Sequence, residues 1–195
     1  MDENQEKKRE IRSMVAKKIS AFSQEELSER IKKIEDRLFG FANFVEAKIP
    51  LLYMSCGSEV PSRGIIETCF KQHKIVVFPV FEKEKRNVAL FKTDHLNKDL
   101  RAGHRGVLEP DPEKCKKVPI KQLDIALIPG VAFDEKGGRI GTGQGYYDRF
   151  IPKLSSTTRK VALALNCQIF PQIPMESHDK YVDIIITEDR IIYKI

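Results

Sequence analysis

Between Pro129 and Phe150 the chain reads PGVAFDEKGGRIGTGQGYYDRF, and this stretch gathers the residue types that bind polyphosphate. Arg139 supplies a permanent cation, Gly141, Gly143 and Gly145 recur at every second position, and Asp148 follows. Glycines so spaced let a backbone take positive φ and lie directly against phosphate oxygens, with no Cβ in the way. The guanidinium suits a phosphate clamp, and the carboxylate suits a hard cation such as magnesium. Tyr146 to Phe150 read as the first turn and a half of a helix, whose free N–H groups would point back into the glycines. The run GTGQG matches neither the dinucleotide fingerprint nor the P-loop. The glycines alone also fit a plain turn joining a strand to a helix; the flanking Arg139 and Asp148 favour a ligand.

The elements that must hold this loop are legible around it. Ile125, Ala126, Leu127 and Ile128 form a continuous apolar run, the pattern of a strand covered on both faces. Residues 2–19 read as a helix with Ile11, Val15 and Ile19 as its apolar stripe, and with Lys8 and Arg12 as a second line at i, i+4. Taken alone, that second line reads as a solvated basic face. Ser23 opens a second helix through a capping box, with Leu27, Ile31, Ile34 and Leu38 on its buried side. A first strand is expected at 49–55, then the loop CGSEVPSR with Glu59, then a helix over 62–73. KIVVFPVF and NVALFK read as strands joined by a turn at EKEKR. Residues 93–117, with Gly103, Gly106, Pro110 and Pro112, form a long connection of the kind that closes over ligands. KVALALN at 160–166 reads as a buried strand, and VDIIITE and RIIYK as a final hairpin through Asp189. Strands alternate with helices early and pair later, so the expected fold is α/β: three α/β/α layers around a mixed, mainly parallel sheet.

At 195 residues the chain is most economically one domain, 1–195, with no internal repeat. A charged start and the lack of any long apolar run predict a protein with no membrane span. Four scattered cysteines predict reduced thiols and a cytoplasmic location. The net charge of +6 invites a nucleic-acid reading, but basic and acidic residues interleave throughout, with neither a basic tail nor an RNA-binding signature. A modest positive field serves small anions equally. His73, His95, His104 and His178 show no ligand spacing.

The run RIGTGQGYYDR after PGVAFD closely resembles the signature of the 5-formyltetrahydrofolate cyclo-ligase (5,10-methenyltetrahydrofolate synthetase) family. KREIR near the start, YMSCGSEV in the first third and YVDIIITED near the end extend the resemblance over nearly the whole chain. It implies ATP-dependent closure of 5-formyltetrahydrofolate to 5,10-methenyltetrahydrofolate, by a monomer, with ADP and phosphate released. It further implies ATP binding by Lys8, Arg12, Arg139, Ile140, Gly141, Thr142, Gly143, Gln144, Gly145, Tyr146 and Tyr147. Glu59, Met54 and Tyr146 would contact the folate, and Asp148 with Asp183 would hold Mg2+. The family commonly carries a tryptophan in the 93–117 loop, and this chain has none. From other classes, a non-catalytic nucleotide- or anion-binding module and a basic RNA-binding domain stand beside the enzyme.

Overall fold

The computed structural model of the chain describes residues 3–82, 87–103 and 106–194. Its main sheet is built on β1 (Pro50–Leu51), β2 (Val77–Glu82), β3 (Asn87–Lys92), β6 (Lys116–Lys117), β7 (Ile125–Leu127), β10 (Arg159–Leu163), β12 (Ile184–Ile186) and β13 (Ile191–Tyr193). They lie in the order β13-β12-β10-β7-β1-β2-β3-β6. The five central strands, β12 to β2, pair parallel, and β13, β3 and β6 add antiparallel edges. The remaining strands, β4 (Leu100–Ala102), β5 (Leu108–Pro110), β8 (Ala132–Asp134), β9 (Arg139–Ile140) and β11 (Ile169–Phe170), form a two-stranded ribbon, β4-β5, and a small sheet, β11-β8-β9. The turn expected at EKEKR and His104 fall outside the described residues.

Both faces of the sheet are covered, as the apolar run at Ile125 requires. Ile125 and Leu127 enter one core with Ile34, Leu38, Phe44 and Ile65, while Ala126 and Ile128 enter the other with Phe133, Tyr147 and Phe150. The first core seats α2 (Gln24–Phe39), α3 (Ala42–Glu46) and α4 (Arg63–Lys71); the second seats α6 (Tyr146–Phe150). The last helices are α1 (Glu3–Ser20) and the single turn α5 (Leu96–Asp99). This is the mixed, mainly parallel α/β sheet expected.

Two elements depart from expectation. The strand expected at 49–55 pairs only at Pro50–Leu51, because Tyr53 and Ser55 turn their hydrogen bonds to the following loop: the Tyr53 hydroxyl donates to the Val60 carbonyl (2.9 Å) and the Ser62 hydroxyl to the Tyr53 carbonyl (2.6 Å). The small sheet β11-β8-β9 has no counterpart in the sequence reading, and it is what positions α1. Val15 packs with Val131, Ala132, Ile140 and Ile173 in a separate apolar cluster, so the first helix sits beside the glycine loop.

Chain order also marks where a ligand should lie. From β1 the chain moves outward to β2, then returns to β7 on the other side of β1. Such a reversal opens a crevice beyond the carboxyl ends of the two strands. The segments leaving those ends carry Met54 and Glu59 on one side and Pro129 on the other.

Candidate active site

The glycine loop forms the wall of a cavity of ≈ 80 Å³. Lys8 and Arg12 from α1, every residue from Arg139 to Asp148, and Gln5, His178 and Asp179 line it. Residues expected to bind nucleotide from opposite ends of the sequence are therefore neighbours. Arg12 Nε donates to the Gly141 carbonyl at 2.8 Å across 129 residues of chain. Burial draws the Arg12 guanidinium below its ordinary pKa, while Asp179 opposes that shift.

Within the loop the glycines differ. Gly143 and Gly145 hold φ of 103° and 64°, the left-handed region where a side chain is strained. Gly141, expected to share that conformation, does not; its small size instead leaves room for Arg139, whose Nη1 would lie 2.7 Å from an added Cβ. The following helix is short. α6 ends at Phe150 and passes into a 3-10 turn, Ile151–Lys153, so side-chain cations rather than a long helix dipole make the cavity attractive to anions.

Arg139 is almost fully buried. It donates to the Pro129 carbonyl (3.1 Å) and to Asp148 Oδ1 (2.7 Å), while its Nε–H has no partner among the described residues. The same Asp148 oxygen accepts the Lys180 backbone N–H at 3.1 Å.

Lys8 does not belong to a solvated face. Only 4% exposed, its ammonium lies 2.5 Å from both Glu176 Oε2 and Asp179 Oδ2. Burial by itself would lower its pKa, but hydrogen bonds to Asp179 and Glu176 outweigh burial and raise it above the ordinary value. Gln5 also donates to Glu176 (2.8 Å), and the Glu176 N–H donates to Asp179 (2.8 Å). Glu176, His178 and Asp179 bring their ligand atoms within 4.8 Å of one another, with the Lys8 ammonium against two of them. This carboxylate group was missed in the sequence, because the loop carrying it has no periodicity; the only signal was a charged cluster, ESHDK, in an irregular stretch. Asp134 anchors the loop, its carboxylate accepting the N–H groups of Gly138 (2.8 Å) and Ile173 (2.8 Å).

Asp183 lies elsewhere. It precedes β12, and its carboxylate accepts the Lys160 N–H (3.0 Å) and pairs with the Lys160 ammonium (2.9 Å), which serves the β10–β12 edge. It does not line the cavity with Asp148, whereas Asp179 does.

A second, smaller cavity of ≈ 20 Å³ occupies the crevice at β1 and β7. Met54, Glu59, Phe81, Glu109, Pro129 and Tyr147 are among its lining. Glu59 is 7% exposed and accepts the Cys56 N–H at 2.9 Å, which folds the loop onto itself. Gln168 fastens that loop, donating to the carbonyls of Ser58 (2.9 Å) and Val131 (2.8 Å). Tyr147 lines both cavities; Tyr146 lines the first and packs on Phe81, 4.7 Å between ring centroids.

A cavity lined by cations and glycine backbone thus abuts an acidic, aromatic one, with Tyr147 lining both. The model of the 5-formyltetrahydrofolate cyclo-ligase family matches residues 4–188. The chain belongs to that family. The Escherichia coli K12 5-formyltetrahydrofolate cyclo-ligase is 26% identical over 91% of this chain and 98% of its own length, and the Haemophilus influenzae enzyme of that name is 29% identical over 90% and 95%. The solution structure of Aquifex aeolicus 5,10-methenyltetrahydrofolate synthetase superposes with a TM-score of 0.82 at 29% identity, covering 96% of this chain and 92% of that one. The Mycoplasma pneumoniae synthetase, at 22% identity and a TM-score of 0.72, shares the fold. Among the described residues no helix is long and apolar enough to cross a membrane.

Proposed function

We propose that the protein closes 5-formyltetrahydrofolate to 5,10-methenyltetrahydrofolate with consumption of ATP. The observation that carries this reading is the pair of cavities meeting at Tyr147, one lined by Lys8, Arg12, Arg139 and glycine backbone, the other by Glu59, Met54 and aromatic rings. A formyl group on nitrogen 5 is amide-like and a poor electrophile. Transfer of the γ-phosphoryl group to the formyl oxygen makes the carbon an activated iminium phosphate and releases ADP; nitrogen 10 then attacks that carbon and gives up its proton, and phosphate leaves with the formyl oxygen.

Little covalent work falls to the chain. It must hold two reactants in line, neutralise charge on the moving phosphoryl group and exclude water. Arg12, half-buried, acts more strongly on a phosphate than it would in water, while Lys8 brings its charge to the cavity already paired with Glu176 and Asp179. Glu59 can accept paired N–H donors from a pterin ring, and Tyr147 can border both reactants.

Magnesium, bound with the nucleotide, would supply further neutralisation of phosphate oxygens. The donor set fits such an ion: Asp148 and Asp179 are carboxylates lining the same cavity, and the Arg139 and Lys180 hydrogen bonds to Asp148 both fall on Oδ1, so its second oxygen would be the donor. We read Asp148 with Asp179, rather than Asp183, as the pair. We take a monomer as the working unit, and four unpaired cysteines support a reducing cytoplasmic setting. Mixing the protein with ATP, magnesium and 5-formyltetrahydrofolate and following the near-ultraviolet absorbance of the methenyl product tests the reading. Growth of that band in step with ADP is expected; ADP without the band would contradict it.

A further inference from the structure

One carboxylate beside the nucleotide cavity has no part in the steps above. Glu176 is half-buried and does not itself line the cavity, but its Oε2 accepts the ammonium of Lys8, which does, at 2.5 Å. The same oxygen accepts Gln5 Nε2 at 2.8 Å, so it holds two side chains that lie three residues apart on α1. Glu176 is also bound to Asp179 in both directions: its N–H donates to Asp179 Oδ2 (2.8 Å), and its carbonyl accepts the Asp179 N–H (3.0 Å). Asp179 Oδ2 is the second acceptor of the Lys8 ammonium. Lys8 thus has two carboxylate partners, and one of them is assigned above to magnesium. A cation on Asp179 repels the ammonium and competes with it for that carboxylate. A buried ammonium without a partner is costly, and a lysine stem is long and flexible, so the charge stays in place only if the other carboxylate holds it.

We propose that Glu176 is a positioning residue for nucleotide binding: it keeps the Lys8 ammonium at the phosphate cavity while Asp179 serves magnesium. This rests on the nucleotide half of the functional reading above. Lys8 belongs to α1, whereas Asp179 belongs to the irregular loop before β12, and Glu176 joins the two through one side chain and one short stretch of backbone. Because Glu176 lies outside the cavity lining, its charge reaches a bound phosphate through Lys8 and not by direct contact. A cation fixed in advance where phosphate will lie stabilises it without first having to be ordered. Acting through Lys8 has a distinctive signature: removal of Glu176 matters only while Lys8 is present.

The test is a double-mutant cycle read by calorimetry. A non-hydrolysable ATP analogue with magnesium is titrated into wild type, Glu176→Ala, Lys8→Ala and the double variant. Glu176→Ala should raise the Kd of the analogue about tenfold, within the coupling found between residues in contact. In the Lys8→Ala background the same change should alter Kd by less than about twofold. Equal losses in the two backgrounds would make Glu176 loop scaffold and overturn the proposal. An unchanged Kd for Glu176→Ala overturns it too, as does a lowered one, which would show that Glu176 competes with phosphate for the ammonium. If an alanine variant does not fold, Glu176→Gln and Lys8→Met complete the cycle with the same expectation, since both keep most of the side-chain volume. Wild type that does not bind the analogue overturns this inference and the functional reading together. Wild type that binds it but forms no methenyl product overturns the functional reading alone, and an active wild type with equal losses in the two backgrounds overturns this inference alone.

Discussion

Lys8 shows how burial changes the reading of a single residue. On the sequence it is one of many lysines on a polar helix, and its substitution would be expected to leave stability alone. In the structure its ammonium is enclosed by Glu176 and Asp179, so Lys8→Ala removes a cation from a phosphate cavity and also leaves two acids uncompensated. Losing one partner of a buried ion pair costs about 3–5 kcal/mol, and partial exposure of Glu176 reduces that figure here. The expected outcome is a KM for ATP raised at least tenfold together with a melting temperature lowered by several degrees; wild-type kinetics in a destabilised protein would make Lys8 scaffold only. Asp148 is the converse case. Asp148→Asn keeps an acceptor for the Lys180 N–H but removes the charge beside Arg139, so half-maximal activity should need considerably more magnesium. An unchanged magnesium titration would leave Asp148 as the partner of Arg139 and nothing more. The glycines, Arg139 and Asp148 were legible because one short stretch holds them all. Glu176 and Asp179 were not, because each gains its meaning only from Lys8, distant in sequence.

Elements with strong local signals matched their sequence reading closely. Ser23 caps α2 through a reciprocal box, its hydroxyl accepting the Glu26 N–H (3.1 Å) while the Glu26 carboxylate accepts the Ser23 N–H (3.0 Å). The far end of that helix is tied to the final hairpin, since Arg37 donates to the Thr187 (2.7 Å) and Asp189 (3.1 Å) carbonyls. The cap is remote from both cavities, so Ser23→Ala should lower stability by about 1 kcal/mol, or roughly 2–4 °C, with kinetics unchanged. A thermal melt beside an ATP titration checks this; altered kinetics would mean that α2 communicates with the site. Short strands such as β8, β9 and β11 escaped notice for a physical reason. Two or three residues carry no period, and their place is fixed by Val15 and Ile173 packing from other parts of the chain.

At the scale of the whole molecule, the parallel sheet was announced by apolar runs such as Ile125–Ile128, but the reversal between β1 and β7 that opens the crevice appears only in the strand order. The covered sheet also sets an alkaline limit. Burial pushes the Cys69 thiol from its ordinary 9.0 up to about 12. Between those values the unfolded chain releases this proton while the folded chain keeps it, so the folded state binds more protons and stability falls as pH rises. This one group contributes a slope of at most about 1.4 kcal/mol per pH unit. Denaturant midpoints measured from pH 8 to 11 should decline, and less steeply in Cys69→Ala; equal slopes would show that the thiol ionises freely in the folded protein. The account as a whole rests on one chemical claim, that the phosphoryl group goes to the oxygen of a formyl group on nitrogen 5. ADP release measured with 5-formyltetrahydrofolate and, separately, with its 10-formyl isomer tests that claim most directly. The account predicts one ADP per methenyl product with the first isomer and only background hydrolysis with the second; equal ADP release from both would contradict it.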